Sequence, residues 1–204
     1  LAGTLGKRIT EGYPEGYAEA YDRAGGEGLE EDTYGLRMLA ARLPEVIVAT
    51  SFSKNFGLYR ERAAALSLVF ANPQQADAGF SQVLNVARAI YSMPPAHGST
   101  IVDIILHSDE LTQVWQSELT QMRERIAGLR VNLVESLNSL QQGRDFSFIA
   151  RERGMFSFLG LTVEQVHKLK NEYSIYMTDT SRISVAGLTV EKMDYVSKAI
   201  AAVL

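Results

Sequence analysis

The stretch that decides the reading is Ser51-Phe52-Ser53-Lys54-Asn55-Phe56-Gly57-Leu58-Tyr59-Arg60-Glu61-Arg62. It follows Val46-Ile47-Val48-Ala49-Thr50, a short apolar β-branched run of the kind that forms a buried strand. A lysine at the end of such a strand, in a glycine-containing loop, can be held partly desolvated. Desolvation disfavours the ammonium and frees a nucleophilic amine for a Schiff base with a carbonyl. Ser51, Ser53 and Arg62 offer hydroxyls and a bidentate guanidinium to a phosphate. The same residue types also read as a solvated loop lysine with incidental neighbours.

Working outward, the punctuation is that of an α/β chain. Glu30, Glu31 and Asp32 place negative charge at a helix start, and apolar residues continue at helical spacing to Leu43-Pro44. A second apolar run, Ala63 to Phe70, predicts another strand. Asn72-Pro73 reads as an N-cap with proline at N1, opening a helix to about Ala89. A turn containing Pro94-Pro95 precedes a helix predicted from about Ser99 to His107. Trp115, Leu119, Met122, Ile126, Leu129, Leu133 and Leu137 then recur at steps of three and four, which predicts one long amphipathic helix from Asp109 to Leu140 with Trp115 in the core. Beyond Gly143, Phe146-Ser147-Phe148-Ile149 and Met155-Phe156-Ser157-Phe158 alternate like strands. Thr162-Val163-Glu164-Gln165 is a capping box leading a helix to Tyr173. Ile175 to Met177 and Ile183 to Ala186 read as short strands, and a helix from Thr189 to Val203 closes the chain. The pattern is α/β to about Phe70, then helical, then α+β, in two lobes joined near the long helix.

Composition narrows the function classes. The chain has 204 residues, 46% of them hydrophobic and 22% charged, with a formal net charge of -4. No basic block suggests a nucleic-acid surface, and no apolar run is long enough to span a membrane. With no cysteine, disulfides, thiolate metal sites and cysteine nucleophiles are excluded. Such a chain is expected to be cytoplasmic. His97, His107 and His167 stand at no metal-ligand spacing and read as structural, so no metal is expected. The charges at Glu30-Glu31-Asp32 serve a helix start rather than catalysis.

With those residues in view, the chain resembles the fold-type I pyridoxal-phosphate aminotransferases of the aspartate/aromatic group. Ser51 to Arg62 is similar to that group's Ser-x-Ser-Lys-Asn-x-Gly-Leu-Tyr-x-Glu-Arg. The resemblance continues in order through Leu29-Glu30-Glu31-Asp32, Tyr91 to Gly98, Trp115 to Arg130 and Asp145 to Leu161. It ends with Ser181-Arg182-Ile183-Ser184-Val185-Ala186-Gly187 against the group's Gly-Arg-Ile-Asn-Val-Ala-Gly.

The resemblance implies part of the large domain, a mostly parallel sheet with flanking helices, followed by a small α+β C-terminal domain. Residues 1–28 would be a divergent leader, 29–108 the second part of the cofactor-binding large domain, and 109–204 the connecting helix with the small domain. It implies pyridoxal 5'-phosphate on Lys54, with Ser51, Ser53 and Arg62 at the phosphate and Tyr21 at the phenolic oxygen. It further implies Arg182 on the substrate α-carboxylate, Phe156 near the substrate, and Arg88 reaching a neighbouring subunit's site to hold a distal carboxylate. Each has a plainer reading: Arg88 as a solvated helix-end arginine, Phe156 as core. The implied reaction moves an amino group between an aspartate or aromatic amino acid and a 2-oxo acid, in a homodimer with shared active sites.

The leader departs from the group. Residues 1–28 carry 7 of the 16 glycines and little apolar sequence. Counting back from Leu29 puts Ala18 where the group has the aspartate that pairs with the pyridinium nitrogen. The alternative is therefore a truncated or rearranged non-catalytic remnant that needs a partner chain or holds cofactor without turnover. Thr180-Ser181 before Arg182, where Ser-Gly is usual, is a smaller departure.

Overall fold

A computed structural model describes residues 28–140 and 143–204, in two compact units, Leu1–Leu119 and Thr120–Leu204. In the first, α1 (Leu29–Arg42) begins with Glu30, Glu31 and Asp32 in its first turn. It stops where Pro44 drives Leu43 into an extended conformation (φ -103°, ψ 141°). Strands β1 (Glu45–Ser51) and β2 (Ala64–Phe70) pair in register from Glu45 opposite Phe70 to Ser51 opposite Ala64. Asn72 caps α2 (Pro73–Ile90), its side chain accepting the Gln75 N–H at 3.0 Å with proline in the first turn. Gly79 lets α2 lie against the end of β2, since a Cβ there would meet the Phe70 ring at 2.4 Å. Then come α3 (His97–Leu106) and the 32-residue α4 (Asp109–Leu140), in which the boundary between the units falls.

Two expectations fail here. A mostly parallel sheet is expected in the large domain, yet the one strand pair described within residues 29–108, β1 with β2, is antiparallel. A loop without a helical crossover joins β1 to β2, and a direct return of that kind pairs strands antiparallel. Nor is the β1 run buried: Ile47 is 70% exposed, and neither β1, β2, α1 nor α2 buries a residue. The helices α1 and α2 touch the ribbon, α2 at Phe70, but leave its residues half-buried or exposed.

The second unit builds its own core. Leu133 and Leu137 of α4 meet Phe146, Ile149, Leu159 and Leu169, all fully buried, with Val166, Val185 and Ile200 beside them. The predicted strand at Phe146–Ile149 is instead the short helix α5 (Ser147–Arg151). Asp145 decides this by accepting the Ser147 N–H and hydroxyl, both at 2.8 Å, which turns the chain into a helix. The helix then carries Phe146 and Ile149, three residues apart, into the core together. Four residues of apparent alternation fit that spacing as well as a strand.

Strand β3 (Phe156–Phe158) pairs antiparallel with β4 (Arg182–Ser184), and a 3-10 turn, Val185–Gly187, follows β4 in place of the predicted strand's last residues. The capping box of α6 (Val163–Tyr173) is formed: Thr162 Oγ1 accepts the Gln165 N–H, and Gln165 Oε1 accepts the Thr162 N–H. Residues 175–177 make no strand, because Ser174 ends α6 in the left-handed region (φ 54°) and the Ile175 N–H folds back to Leu169 O. Ile175 and Met177 pack on the core as a connector. Helix α7 (Val190–Val203) contributes Met193, Ala199, Ile200 and Val203.

Candidate active site

The loop leaving β1 is organised from its first residue. Ser51 Oγ accepts the Ser53 N–H at 3.2 Å and donates to Ser53 Oγ at 2.9 Å, so two hydroxyls sit together at the strand end. The turn closes with the Phe56 N–H on Phe52 O and the Gly57 N–H on Lys54 O. Gly57 takes a φ of 66°, open to glycine at no steric cost. Lys54 is exposed rather than desolvated, and its Nζ lies 4.5 Å from the centre of the Tyr59 ring. The Arg62 guanidinium stands 5.6 Å from the same ring and donates to Tyr59 O at 3.2 Å. Tyr59 thus gathers both cations through the negative face of its ring.

Arg62 is itself in the left-handed region, φ 53°, where a side chain on Cβ is strained. Its neighbourhood is fitted closely. A Cβ on the buried Gly98 at the start of α3 would stand 2.8 Å from Glu61 Cβ and 3.0 Å from Ala63 Cβ. That explains glycine after Pro94-Pro95-Ala96-His97: the helix must approach the residues flanking Arg62.

Trp115 has a role that the reading of it as core missed. It is only half-buried, and its indole N–H donates to Asn55 O at 2.7 Å, across 60 residues of sequence. Its ring stacks on Phe56 at 4.6 Å and 14°, with Phe52 edge-on to Phe56. The available signal was the N–H itself, since a tryptophan covered on one side seeks an acceptor.

In the second unit, Phe156 and Arg182 come together across the β3–β4 pair. The Arg182 guanidinium lies 4.8 Å from the Phe156 ring centre and is exposed. Ser181 before it adopts φ 64° although it is not glycine, and is buried. Its Oγ accepts the Leu161 N–H at 3.0 Å and its carbonyl accepts the Leu159 N–H at 3.0 Å, ties that offset the strain. The Arg182 N–H donates to Thr178 Oγ1 at 3.2 Å.

Beneath β3 lies Arg130 of α4, only 2% exposed. It donates to Ile149 O at 3.0 Å, Gly154 O at 2.9 Å, Phe156 O at 2.8 Å and Ser157 Oγ at 3.2 Å, and pairs with Glu152 at 3.3 Å. Ser157 donates in turn to Glu152. Burial lowers the Arg130 pKa, while the Glu152 carboxylate opposes that shift. Its part in fixing the strand of Phe156 was not legible beforehand.

The other named residues are more scattered. Arg88 is exposed in the last turn of α2, where a cation suits the helix dipole. Tyr21 and Ala18 lie outside the described residues. His107 and His167 each face one aspartate, Asp103 and Asp179, at the surface, and His97 opens α3. Among the described residues no helix is long and apolar enough to cross a membrane.

A primary amine at a strand end, two hydroxyls and a guanidinium within twelve residues form a donor set suited to an aldehyde that carries a phosphate. The chain belongs to the class I and II aminotransferases, whose family pattern it matches over residues 18–200, and within them to the fold-type I group. It is 50% identical over 177 residues to the aspartate aminotransferase of Escherichia coli (strain K12), spanning 87% of this chain and 45% of that protein. To the aromatic-amino-acid aminotransferase of Pseudomonas aeruginosa it is 44% identical over 178 residues, again 87% and 45% of the two chains. A crystal structure of the aromatic-amino-acid aminotransferase from Burkholderia pseudomallei, covalently bound to pyridoxal phosphate, superposes with a TM-score of 0.86 at 46% identity. That superposition covers 89% of this chain and 46% of the other. The chain therefore spans about half the length of these relatives.

Proposed function

We propose that this chain is the cofactor-lysine part of an aminotransferase that moves an amino group between an aspartate or aromatic amino acid and a 2-oxo acid. The observation that carries the reading is the loop between β1 and β2, where Ser51 and Ser53 pair their hydroxyls and the Tyr59 ring lies near both Lys54 and Arg62. In this reading residues 29–108 are the second part of the cofactor-binding domain, and 109–204 are the connecting helix and small domain. Ser51, Ser53 and Arg62 hold the phosphate of pyridoxal 5'-phosphate, and Tyr21 donates to its phenolic oxygen. The cofactor supplies an aldehyde for the amine and an electron-withdrawing ring.

Lys54 is the residue that would hold the cofactor's aldehyde, and its Nζ, when free, would be the base that takes and returns the substrate Cα proton. Arg182 receives the α-carboxylate with its planar fork, its guanidinium standing 4.8 Å from the centre of the Phe156 ring. Arg88 holds the distal carboxylate of a dicarboxylate substrate in a neighbouring subunit's site, in a cytoplasmic homodimer.

The test is covalent and needs no turnover. Purified chain is mixed with pyridoxal 5'-phosphate, reduced with borohydride and mapped by mass spectrometry. A pyridoxyl group on Lys54, absent from the Lys54→Ala chain, supports the reading. Labelling no faster at Lys54 than at the exposed Lys168, Lys170, Lys192 and Lys198 would sink it.

A further inference from the structure

We infer that Trp115 is a positioning residue for Lys54, fixing the loop from which the amine hangs; the inference rests on the reading of Lys54 as the cofactor-bonding amine. The Lys54 side chain is exposed, and among the described residues the Tyr59 ring lies 4.5 Å from its Nζ with no ion pair to the amine, so the place of the amine is set chiefly by its backbone. That backbone is weakly held from within: its two internal turn bonds, Phe56 N–H to Phe52 O and Gly57 N–H to Lys54 O, measure 3.3 and 3.2 Å. At the loop's start the Phe52 N–H reaches Ala63 O at 3.1 Å.

The strongest tie arrives from α4. The Trp115 N–H meets the carbonyl of Asn55, the residue next to Lys54, at 2.7 Å, and the indole face covers Phe56, two residues on. Among the described residues Asn55 Oδ1 is buried without a hydrogen-bond partner, while the Asn55 carbonyl takes the indole N–H. Hydrogen bond and stack act on adjacent residues from one side chain, which resists both translation and rotation of the turn. Exposed amine and held backbone together fit a nucleophile that must swing at its tip while its root stays in place.

Two variants and two readouts test this on the whole chain. Trp115→Phe keeps a ring for Phe56 and removes the donor; Trp115→Leu removes both. Hydrogen exchange at the Phe56 and Gly57 amides is expected to quicken about fivefold in the first, the effect of one lost hydrogen bond, and further in the second. Borohydride-trapped pyridoxyl labelling of Lys54, taken as a ratio to Lys168, Lys170, Lys192 and Lys198 in the same sample, is expected to fall severalfold in the same order. General unfolding would also bring that ratio towards one. It is told apart because it quickens exchange throughout the chain, the buried Leu133 and Leu137 amides included, whereas loss of the clamp quickens it at the Lys54 turn. Unchanged exchange in both variants overturns the inference. So does faster exchange with an unchanged Lys54 ratio, which would mean the clamp holds the loop without serving the amine. If the unsubstituted chain itself shows no preference for Lys54, the functional reading fails and the inference with it, an outcome told apart because the exchange response persists.

Discussion

Thr120–Leu204 and the described part of Leu1–Leu119 differ most in what they bury. The second unit encloses a contiguous core in which Leu133, Leu137, Phe146, Ile149, Leu159 and Leu169 are fully covered. The first has comparable apolar sequence, yet among its described residues Gly98 and Val102 alone are buried, and Ile47, Leu84 and Ile90 stand open. The difference teaches which of the two units holds its core within the described residues: the second does, and the first leaves its apolar side chains open. Asn72 and Pro73 set the start of α2 locally, while burial needs a facing layer.

The contrast can be broken by substitution. Leu133→Ala should cost about 3 kcal/mol in urea unfolding, because a fully buried leucine leaves a cavity, whereas Ile47→Ala should cost less than about 0.5 kcal/mol. Equal effects would erase the distinction. Arg130→Met comes next, at about 3 kcal/mol or slightly less, since it strands the Glu152 carboxylate and three carbonyls. Its signature is a displaced Phe156 ring, read as a shifted aromatic resonance.

Gly98→Ala brings the first unit into the test. A Cβ pressing on Glu61 and Ala63 should cost about 2 kcal/mol and lower phosphate retention at Arg62, measured with pyridoxal 5'-phosphate against unphosphorylated pyridoxal. Ser181→Ala should cost about 1 kcal/mol, having kept the left-handed strain and lost the Leu161 tie; Ser181→Gly should be nearly neutral, because relief of strain offsets that loss.

The smallest effect is set by pH. The Ser147 N–H first, and its hydroxyl second, hold the exposed Asp145 carboxyl below the ordinary aspartate value of about 4. Its contribution is present above that value and is lost as the pH falls through the lowered one. Asp145→Asn should therefore flatten, slightly, the fall in urea midpoint between about pH 6 and about pH 3.

How far sequence reasoning reached follows the range of the forces involved. Asn72-Pro73, the Thr162–Gln165 box and the α4 stripe act within a few residues, and the helices they define run as predicted. Strand direction depends on a partner, and there, in the range expected to carry a mostly parallel sheet, the described pair is antiparallel. At Phe146–Ile149 two periodicities coincide over four residues, and a side chain just outside the window, Asp145, chose between them. The candidate site divides in the same manner. Lys54, Ser51, Ser53 and Arg62 lie within one short segment and could be read as a group. The parts played by Trp115 and Arg130 rest on side chains donating to backbone carbonyls 60 and 19 to 26 residues away. A carbonyl has no residue identity, so no spacing of letters marks such an acceptor.

The indole on Asn55 has one more consequence. The chain contains a single tryptophan, so all of its indole emission originates at the hydrogen bond and stack that hold the Lys54 turn. The protein carries its own optical gauge: loosening of that turn, or arrival of a chromophore beside it, is written into one lifetime with no label added.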